Sequence, residues 1–226
     1  MRFEETNYIR RKMKLDNIWY TLYNGSNMTE NSNKFTQTVE FCQFLQGYYI
    51  NPKVCDPLVE FFLANPNRYP GRLGGEKIDK KKKDSTDLSI NHREEQHPSV
   101  QNYIYELSIA CKLYIEKYHW SSDSQCAWSI NEGLKIQEYL PNQGYRVWHT
   151  ERQGPVGRNL FRHLVFMTYL NDVLDKGETE WYHQNLKVQP KKGLTVIWPA
   201  DWTFVHRGIP SETETKYIAT GWYSYD

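Results

Sequence analysis

The sequence lacks a long hydrophobic run. Residues 1–15 carry Arg, Glu and Lys throughout. No later stretch approaches the roughly 20 consecutive apolar residues that a membrane-spanning helix needs. We therefore expect neither an export signal nor a membrane anchor, and we predict a cytoplasmic protein with no membrane partner.

An excess of charge of one sign is also missing, because 28 Lys and Arg residues stand against 27 Asp and Glu residues. No global field then favours nucleic acid, which is not expected as a partner. The four cysteines form no Cys-x-x-Cys pair, which argues against a zinc knuckle. The one basic run, residues 80–83, is followed by Asp84 and Asp87. We interpret it as a solvated loop, with a contact to an acidic partner as the alternative.

Aromatic residues make up 15% of the chain, which indicates a sheet-rich interior. Residues 1–50 are polar and are predicted to be an N-terminal extension or a partly ordered segment. Residues 51–226 are predicted to form a single domain. Apolar spacing predicts helices over residues 54–64 and from Pro98 to about residue 118. Between them, residues 71–87 form a long connection that is a candidate substrate-covering lid.

From Leu134 onwards, short apolar runs alternate with turn residues such as Pro, Gly and Asn. Such spacing is typical of a β-sandwich or barrel. The predicted fold class is therefore α+β with a mainly β core, in which helices extend to about residue 120 and a double-layered β core covers about 134–226. The predicted strands are residues 136–140, 145–150, 163–170, 179–182, 186–188, 194–198, 203–206 and 216–223.

A metal site is predicted from His149, Glu151 and His206. On a strand, residues two apart project from the same face, so His149 and Glu151 would lie side by side. His206 ends a later predicted strand. Two imidazoles and one carboxylate on one side of a metal leave positions open for a chelating cosubstrate and dioxygen, as in non-haem ferrous oxygenases.

A His-x-Glu triplet alone is a weak signal and is more often a pair of surface residues. A second triplet, from His92 to Glu94, illustrates this point. It lies in a polar stretch without a strand pattern, so nothing aligns its two side chains, and we interpret it as solvated.

Lys216 begins the last predicted strand, ten residues after His206. A charge that points into an apolar barrel is costly unless it is paired. An incoming dicarboxylate would supply the partner. The alternative is that Lys216 points outward.

Five ordered motifs run from Tyr139 to the end of the chain, and this segment resembles the catalytic core of the 2-oxoglutarate and Fe(II)-dependent prolyl hydroxylase family. The N-terminal half resembles that family only in general arrangement. The motifs are YLPNQGY at 139–145 with the His149–Glu151 triplet, TYLN at 168–171, GETEW at 177–181, VQPKKG at 188–193, and His206 with Lys216.

The resemblance implies a double-stranded β-helix of the jelly-roll or cupin-like type, with supporting N-terminal helices. It implies Fe(II) held by the three predicted ligands, 2-oxoglutarate held by Lys216, Tyr139 and Tyr169, O2 as cosubstrate, and ascorbate as a reductant. For both tyrosines, core packing is the alternative. Most relatives have Asp where this chain has Glu151. The longer side chain is expected to retain iron with altered geometry, and the alternative is a degenerate site with weak affinity.

The resemblance favours 4-hydroxylation of a peptidyl proline, with conversion of 2-oxoglutarate to succinate and CO2. The alternative is hydroxylation of another peptide residue, a free amino acid or a small molecule, and the third reading is a non-catalytic binding module. The partner is thus a peptide or a small molecule, whereas the oligomeric state is not predicted. Candidate substrate contacts are Arg162, Trp148, Trp181 and Trp222. The alternatives are a core position for the tryptophans and a structural role for Arg162, which starts a strand.

Overall fold

The fold is mainly β, and all its strand pairs are antiparallel. The computed structural model describes residues 37–73, 77–91, 93–122, 126–152 and 157–226. The elements in chain order are β1 Gln37–Cys42, β2 Leu45–Tyr49, α1 Cys55–Ala64, β3 Tyr69–Pro70, β4 Lys83–Asp84, β5 Thr86–Ile90, α2 Pro98–Lys117, β6 Trp128–Ser129, β7 Leu134–Tyr139, β8 Gly144–Tyr145, β9 Arg162–Tyr169, β10 Thr179–Trp181, β11 Leu186–Val188, β12 Leu194–Pro199, β13 His206–Gly208 and β14 Lys216–Tyr225.

The main sheet has the order β1-β2-β12-β9-β14-β7-β5-β3, and β6 pairs with β14 at its side. A smaller sheet has the order β11-β10-β13, and β4 pairs with β8. The predicted mainly β fold class is confirmed. Both predicted helices are confirmed to within one residue at each end. Neither of these described helices is long and apolar enough to cross a membrane.

The main sheet separates two hydrophobic clusters, as the alternation of side chains along β9 demands. Leu164 and Phe166 lie in the cluster that contains the helices. Val165, Met167 and Tyr169 lie in the cluster shared with the smaller sheet. The helices therefore cover one face of the sheet, and the other face is left to build an interior site.

The N-terminal boundary of this architecture differs from the prediction. Residues 37–49 form β1 and β2, and β2 pairs with β12 over four residues, from Leu194↔Tyr49 to Ile197↔Gln46. The prediction of a polar extension is wrong for this part, because Leu45, Gln46 and Tyr48 are buried. Residues 1–36 lie outside the described residues. The predicted limits of a single domain stay a prediction.

Two predicted strands are wrong near the metal ligands. Of residues 145–150, only Tyr145 belongs to a strand, and His149 forms an isolated bridge with His206. The segment predicted as the strand 203–206 instead begins with a short 3-10 helix, Trp202–Phe204. The backbone N–H of Trp202 donates a hydrogen bond to the Asp201 carboxylate. This capping interaction favours a helical turn where hydrophobicity alone indicated a strand.

The connection 71–87 is shorter than predicted, since residues 83–84 and 86–90 form β4 and β5. Lys83 is buried, and its Nζ donates a 2.7 Å hydrogen bond to Oδ2 of the buried Asp87. The interpretation of residues 80–83 as a solvated loop is therefore wrong for Lys83. It holds for Lys80, whose side chain is exposed. The lid role stays a prediction.

Candidate metal centre

The side chains of His149, Glu151 and His206 meet on the inner side of the main sheet. Nε2 of His149 lies 3.6 Å from Oε1 of Glu151, and Nε2 of His206 lies 3.5 Å from the same oxygen. The potential ligand atoms of the three residues all lie within 4.8 Å of one another. Two imidazoles and one carboxylate form the donor set of non-haem ferrous sites. The three predicted ligands are thus brought together.

Backbone hydrogen bonds fix the two histidines against each other. The N–H of His149 binds the carbonyl of His206 at 3.0 Å, and the N–H of His206 binds the carbonyl of His149 at 2.9 Å. Each Nδ1 lies 2.9 Å from a backbone carbonyl, that of Val147 or of Phe204 respectively. Because Nδ1–H donates there, the lone pair of each Nε2 faces the centre, as a metal ligand requires.

The carboxylate of Glu151 is held from the other side. Its Oε2 accepts a 2.9 Å hydrogen bond from Nε1 of Trp222 and lies 3.4 Å from Nη1 of Arg162. The same Nη1 donates to the backbone carbonyl of Glu151 at 3.0 Å. Arg162 is itself fixed by Glu132, which accepts from its Nε at 3.0 Å and from its Nη2 at 2.8 Å. Oε1 of Glu151 is therefore left to face the imidazoles.

The protonation states of these side chains suit a divalent cation. Burial, and secondly the charge of His206, lower the pKa of His149 to about 3. Burial alone would raise the pKa of Glu151, but the adjacent His206 and the charges around the carboxylate lower that pKa to about 2. At neutral pH, His149 is neutral and Glu151 is charged, and these are the forms in which they bind metals.

Aromatic rings enclose the two imidazoles. Tyr145 stacks on His149 with ring centroids 3.7 Å apart and an interplanar angle of 14°. Trp198 meets His206 edge-on at 5.2 Å, and Trp181 packs behind both, 5.3 Å from Trp198. These contacts restrict the rotamers of the ligands and keep their surroundings apolar.

Lys216 lies on the same interior face as the predicted ligands and is buried. Its Nζ donates to the backbone carbonyl of Gly177 at 2.8 Å and lies 5.1 Å from the ring centroid of Tyr139. Among the ion pairs of the described residues, none includes Lys216. Burial lowers its pKa to about 8. The ammonium group thus points inward without a direct ion pair, although the Glu178 carboxylate is near enough to oppose the effect of burial on its pKa. The alternative of an outward orientation is wrong.

These residues line a cavity of about 660 Å³. Of the predicted residues, the three ligands, Lys216, Tyr139, Arg162 and Trp222 lie in its wall. Lining residues that the sequence did not indicate include Lys83, Lys135, Gln137, Tyr145 and Thr179.

Three predicted contact residues are not in the cavity wall. Tyr169 lies behind it, and its hydroxyl binds Oγ1 of Thr179 at 2.8 Å. Trp181 is fully buried behind His206. Trp148 is partly exposed and packs against Tyr182 and Arg207. Alternation along β7 could have indicated Lys135 and Gln137, because they share the face of Tyr139. The inward position of Lys83 had no sequence signal.

Comparison with known proteins identifies the β-rich segment. Residues 134–224 match the model of the 2OG-Fe(II) oxygenase superfamily, and this match includes the three ligands and Lys216. No curated protein sequence matches the chain. The superfamily uses Fe(II), 2-oxoglutarate and O2, and the donor set described above fits that metal. The predicted resemblance to 2OG-Fe(II) oxygenases is confirmed for residues 134–224.

Several solved structures share the fold at low sequence identity. A viral collagen prolyl hydroxylase from Paramecium Bursaria Chlorella virus-1, in a 2OG complex, has 15% identity, covers 86% of this chain and 98% of its own, and gives a TM-score of 0.56. A Pseudomonas putida prolyl-4-hydroxylase has 16% identity, covers 80% of this chain and 91% of its own, and gives a TM-score of 0.61. A Trichoplax adhaerens prolyl hydroxylase, in complex with a hypoxia inducible factor peptide fragment, has 15% identity. It covers 97% of this chain and 93% of its own, and gives a TM-score of 0.63. The double-stranded β-helix fold is thereby confirmed.

Proposed function

We propose that this chain, a 2-oxoglutarate-dependent dioxygenase by its 2OG-Fe(II) oxygenase domain, hydroxylates a peptidyl proline at C4. One observation carries the proposal. The inward-facing Lys216 and the His149, Glu151 and His206 cluster line the same cavity. A dicarboxylate can then bind with one end at the ligands and the other at the lysine.

The chain's own residues have distinct roles in this reaction. His149, Glu151 and His206 hold the iron, which when bound supplies the chemistry by which O2 and 2-oxoglutarate give succinate, CO2 and a hydroxylated carbon. Trp222 and Arg162 fix the carboxylate ligand through Oε2. Their contact is close, because the guanidinium carbon of Arg162 lies 3.5 Å from the Trp222 ring centroid.

The distal carboxylate of 2-oxoglutarate binds the ammonium group of Lys216, which donates to the Gly177 carbonyl and lies over the Tyr139 ring. Thr179 also lines this part of the cavity, and Tyr169 orients its hydroxyl from behind. We therefore assign Thr179, rather than Tyr169, as the hydroxyl group available to the cosubstrate. Tyr139 binds Gln137 through its hydroxyl at 2.9 Å and forms the wall beside Lys216.

A prolyl substrate is supported by the fold shared with three prolyl hydroxylases and by the partly buried cavity wall around Trp222 and Arg162. Trp222 lines the cavity next to the carboxylate ligand, and a proline ring can pack on the part of its ring that the stacked Arg162 guanidinium leaves uncovered. Trp181 and Trp148 are not available for this contact, because neither lines the cavity.

The test is oxygen incorporation into defined substrates. The protein is loaded anaerobically with Fe(II) and 2-oxoglutarate, mixed with proline-rich peptides and exposed to O2. Mass spectrometry should show a gain of one oxygen atom on proline, matched by succinate formation, and hydrolysis should release 4-hydroxyproline. Peptides with Ala in place of Pro, and the variant His206→Ala, should give neither product.

Other outcomes separate the alternatives. If only a different peptide residue, a free amino acid or a small molecule gains oxygen, the prolyl assignment is wrong. If no succinate forms above background with any substrate, the chain is a binding module with a degenerate site. A cytoplasmic location and recovery of oxidised iron by ascorbate stay predictions from the sequence.

A further inference from the structure

One lysine of the cavity is not explained by the binding of iron or 2-oxoglutarate. Lys135 lies on β7, and Lys135, Gln137 and Tyr139 alternate along the strand so that all three line the cavity. Nζ of Lys135 lies 5.7 Å from the ring centroid of Trp222, the residue that holds Glu151. Its ammonium group is thus next to the carboxylate ligand.

Lys135 and Lys216 lie at opposite ends of the cavity. The register of β7 and β14 pairs Lys216 with Tyr139 and Thr220 with Lys135. Four residues along a strand span about 14 Å. The ammonium of Lys216 bonds to Gly177, whereas that of Lys135 lies over Trp222, still further along β14. A molecule as short as 2-oxoglutarate, bound between Lys216 and the ligands, leaves Lys135 uncontacted.

The carboxylates that face Lys135 already have other partners. Asp87 accepts hydrogen bonds from Lys83 at 2.7 Å, from Gln137 at 2.9 Å and from Ser85 at 2.7 Å. Glu151 is bound by Trp222 and faces the imidazoles. No ion pair within the described ranges includes Lys135.

The other cations around Lys135 are already paired with carboxylates of their own. Lys83 and Arg162, which are its neighbouring cations, are neutralised by Asp87 and Glu132 respectively. Burial, and secondly the charge of Lys83, lower the pKa of Lys135. A partly buried cation without a counter-ion is unfavourable, and an anionic ligand would relieve its cost.

We propose that Lys135 binds a carboxylate of the primary substrate, so that the carbon to be hydroxylated lies next to an acidic group. The proposal rests on the oxygenase function proposed above and narrows its substrate class. The carboxylate can belong to a free amino acid, to the C-terminus of a peptide or to an acidic side chain beside the target residue. The Trp222 ring, between Lys135 and Glu151, supports the apolar part of the same substrate.

Calorimetry on the full chain tests this site without turnover. The protein is kept anaerobic with Fe(II) and saturating 2-oxoglutarate, which occupies Lys216. Three matched pairs are titrated: L-proline against L-prolinamide, N-acetyl-L-proline against N-acetyl-L-prolinamide, and a blocked Pro-Glu peptide against its Pro-Gln counterpart. At least one acid should bind roughly ten- to hundredfold more tightly than its neutral partner, as expected for a charged hydrogen bond. The pair that shows the difference identifies the source of the carboxylate.

Variants test whether Lys135 causes the preference for the acid over the amide. Lys135→Met has a similar length without the charge and should bind acid and amide alike, whereas Lys135→Arg should keep the preference. Lys112→Met is the matched control, because this helix lysine is 68% exposed and lies outside the cavity wall. If Lys135→Met does not fold, Lys135→Gln replaces it. The proposal is overturned if no acid is preferred, or if the preference survives in a folded, uncharged variant.

The two proposals can fail separately. Hydroxylation of neutral prolyl peptides without any acid preference would contradict the role of Lys135 and leave the prolyl assignment intact. An acid preference that depends on Lys135, without hydroxylation of any prolyl compound, would confirm the anion site and contradict the prolyl assignment.

Discussion

The indole Nε1 of Trp222 donates a 2.9 Å hydrogen bond to Oε2 of Glu151, and Oε1 of the same carboxylate faces both imidazoles at 3.6 and 3.5 Å. Glu has one more rotatable bond than Asp, so its carboxylate needs more support to keep one orientation. Trp222, with Arg162 stacked on its ring, supplies that support. The longer ligand therefore reaches the centre in a fixed orientation.

Replacement of this indole should weaken metal binding. In Trp222→Phe the ring remains and the hydrogen bond to Oε2 is lost, and the affinity for Fe(II) should fall by about tenfold, which is typical of outer-shell partners. Anaerobic competition with a chelating dye measures this affinity. Trp202→Phe is the control, because that side chain is 65% exposed. Equal affinity in Trp222→Phe and the wild type would refute the role of the hydrogen bond.

Loss of the Lys216 ammonium should act on the cosubstrate and spare the metal. Lys216→Met should raise the 2-oxoglutarate concentration required for half-maximal succinate formation by about a hundredfold, because the distal carboxylate loses its charged partner. Its Fe(II) affinity without 2-oxoglutarate should match the wild type. An unchanged 2-oxoglutarate requirement in a folded variant would show that the cosubstrate binds elsewhere.

The affinity for 2-oxoglutarate should also fall at high pH. Burial lowers the pKa of Lys216 to about 8. The charged form, which binds the carboxylate, is complete well below that pH and is lost as the pH rises through it. Anaerobic calorimetry should therefore give weaker binding at pH about 9 than at pH about 7, and Lys216→Arg should remove the difference, because Arg stays charged. The same decline in Lys216→Arg would assign the titration to another group.

The ion pair of Lys83 and Asp87 should be a determinant of stability. Both side chains are buried, with 4% and 1% of their surfaces exposed. Lys83→Met leaves a buried carboxylate without its cation, which should lower the free energy of unfolding by about 3–5 kcal/mol. Urea denaturation measures this loss. The double variant Lys83→Met/Asp87→Leu should recover much of it. A loss below about 1 kcal/mol in the single variant would contradict this assignment.

The sequence predicted the ligands because their chemistry is local. His149 and Glu151 are two residues apart, which alone is a weak signal, and the resemblance to a known family added His206 and Lys216 within motifs of fixed order. The long strands β9 and β14 were also predictable, because each is a long, mostly apolar segment bounded by turn residues. The resemblance of residues 139–226 then linked these elements to one fold.

What the sequence could not predict depends on pairing between distant segments. The short strand ends at Tyr145, and His149 pairs instead with His206 across the site, a contact that no local pattern contains. Lys83 belonged to a basic run, and only its burial next to Asp87 gives it an interior role. Arg162, predicted as a substrate contact, binds Glu132 and Glu151, because β9 starts beside both carboxylates.

The central claim is that His149, Glu151 and His206 together hold Fe(II). Anaerobic titration of Fe(II) into the full chain with saturating 2-oxoglutarate, followed by the weak visible charge-transfer band, tests it most directly. The band should saturate at one iron for each chain in the wild type and in Lys112→Met, and should be absent from His206→Ala and Glu151→Ala. Absence of the band from the wild type, or its persistence in folded His206→Ala, would contradict the claim.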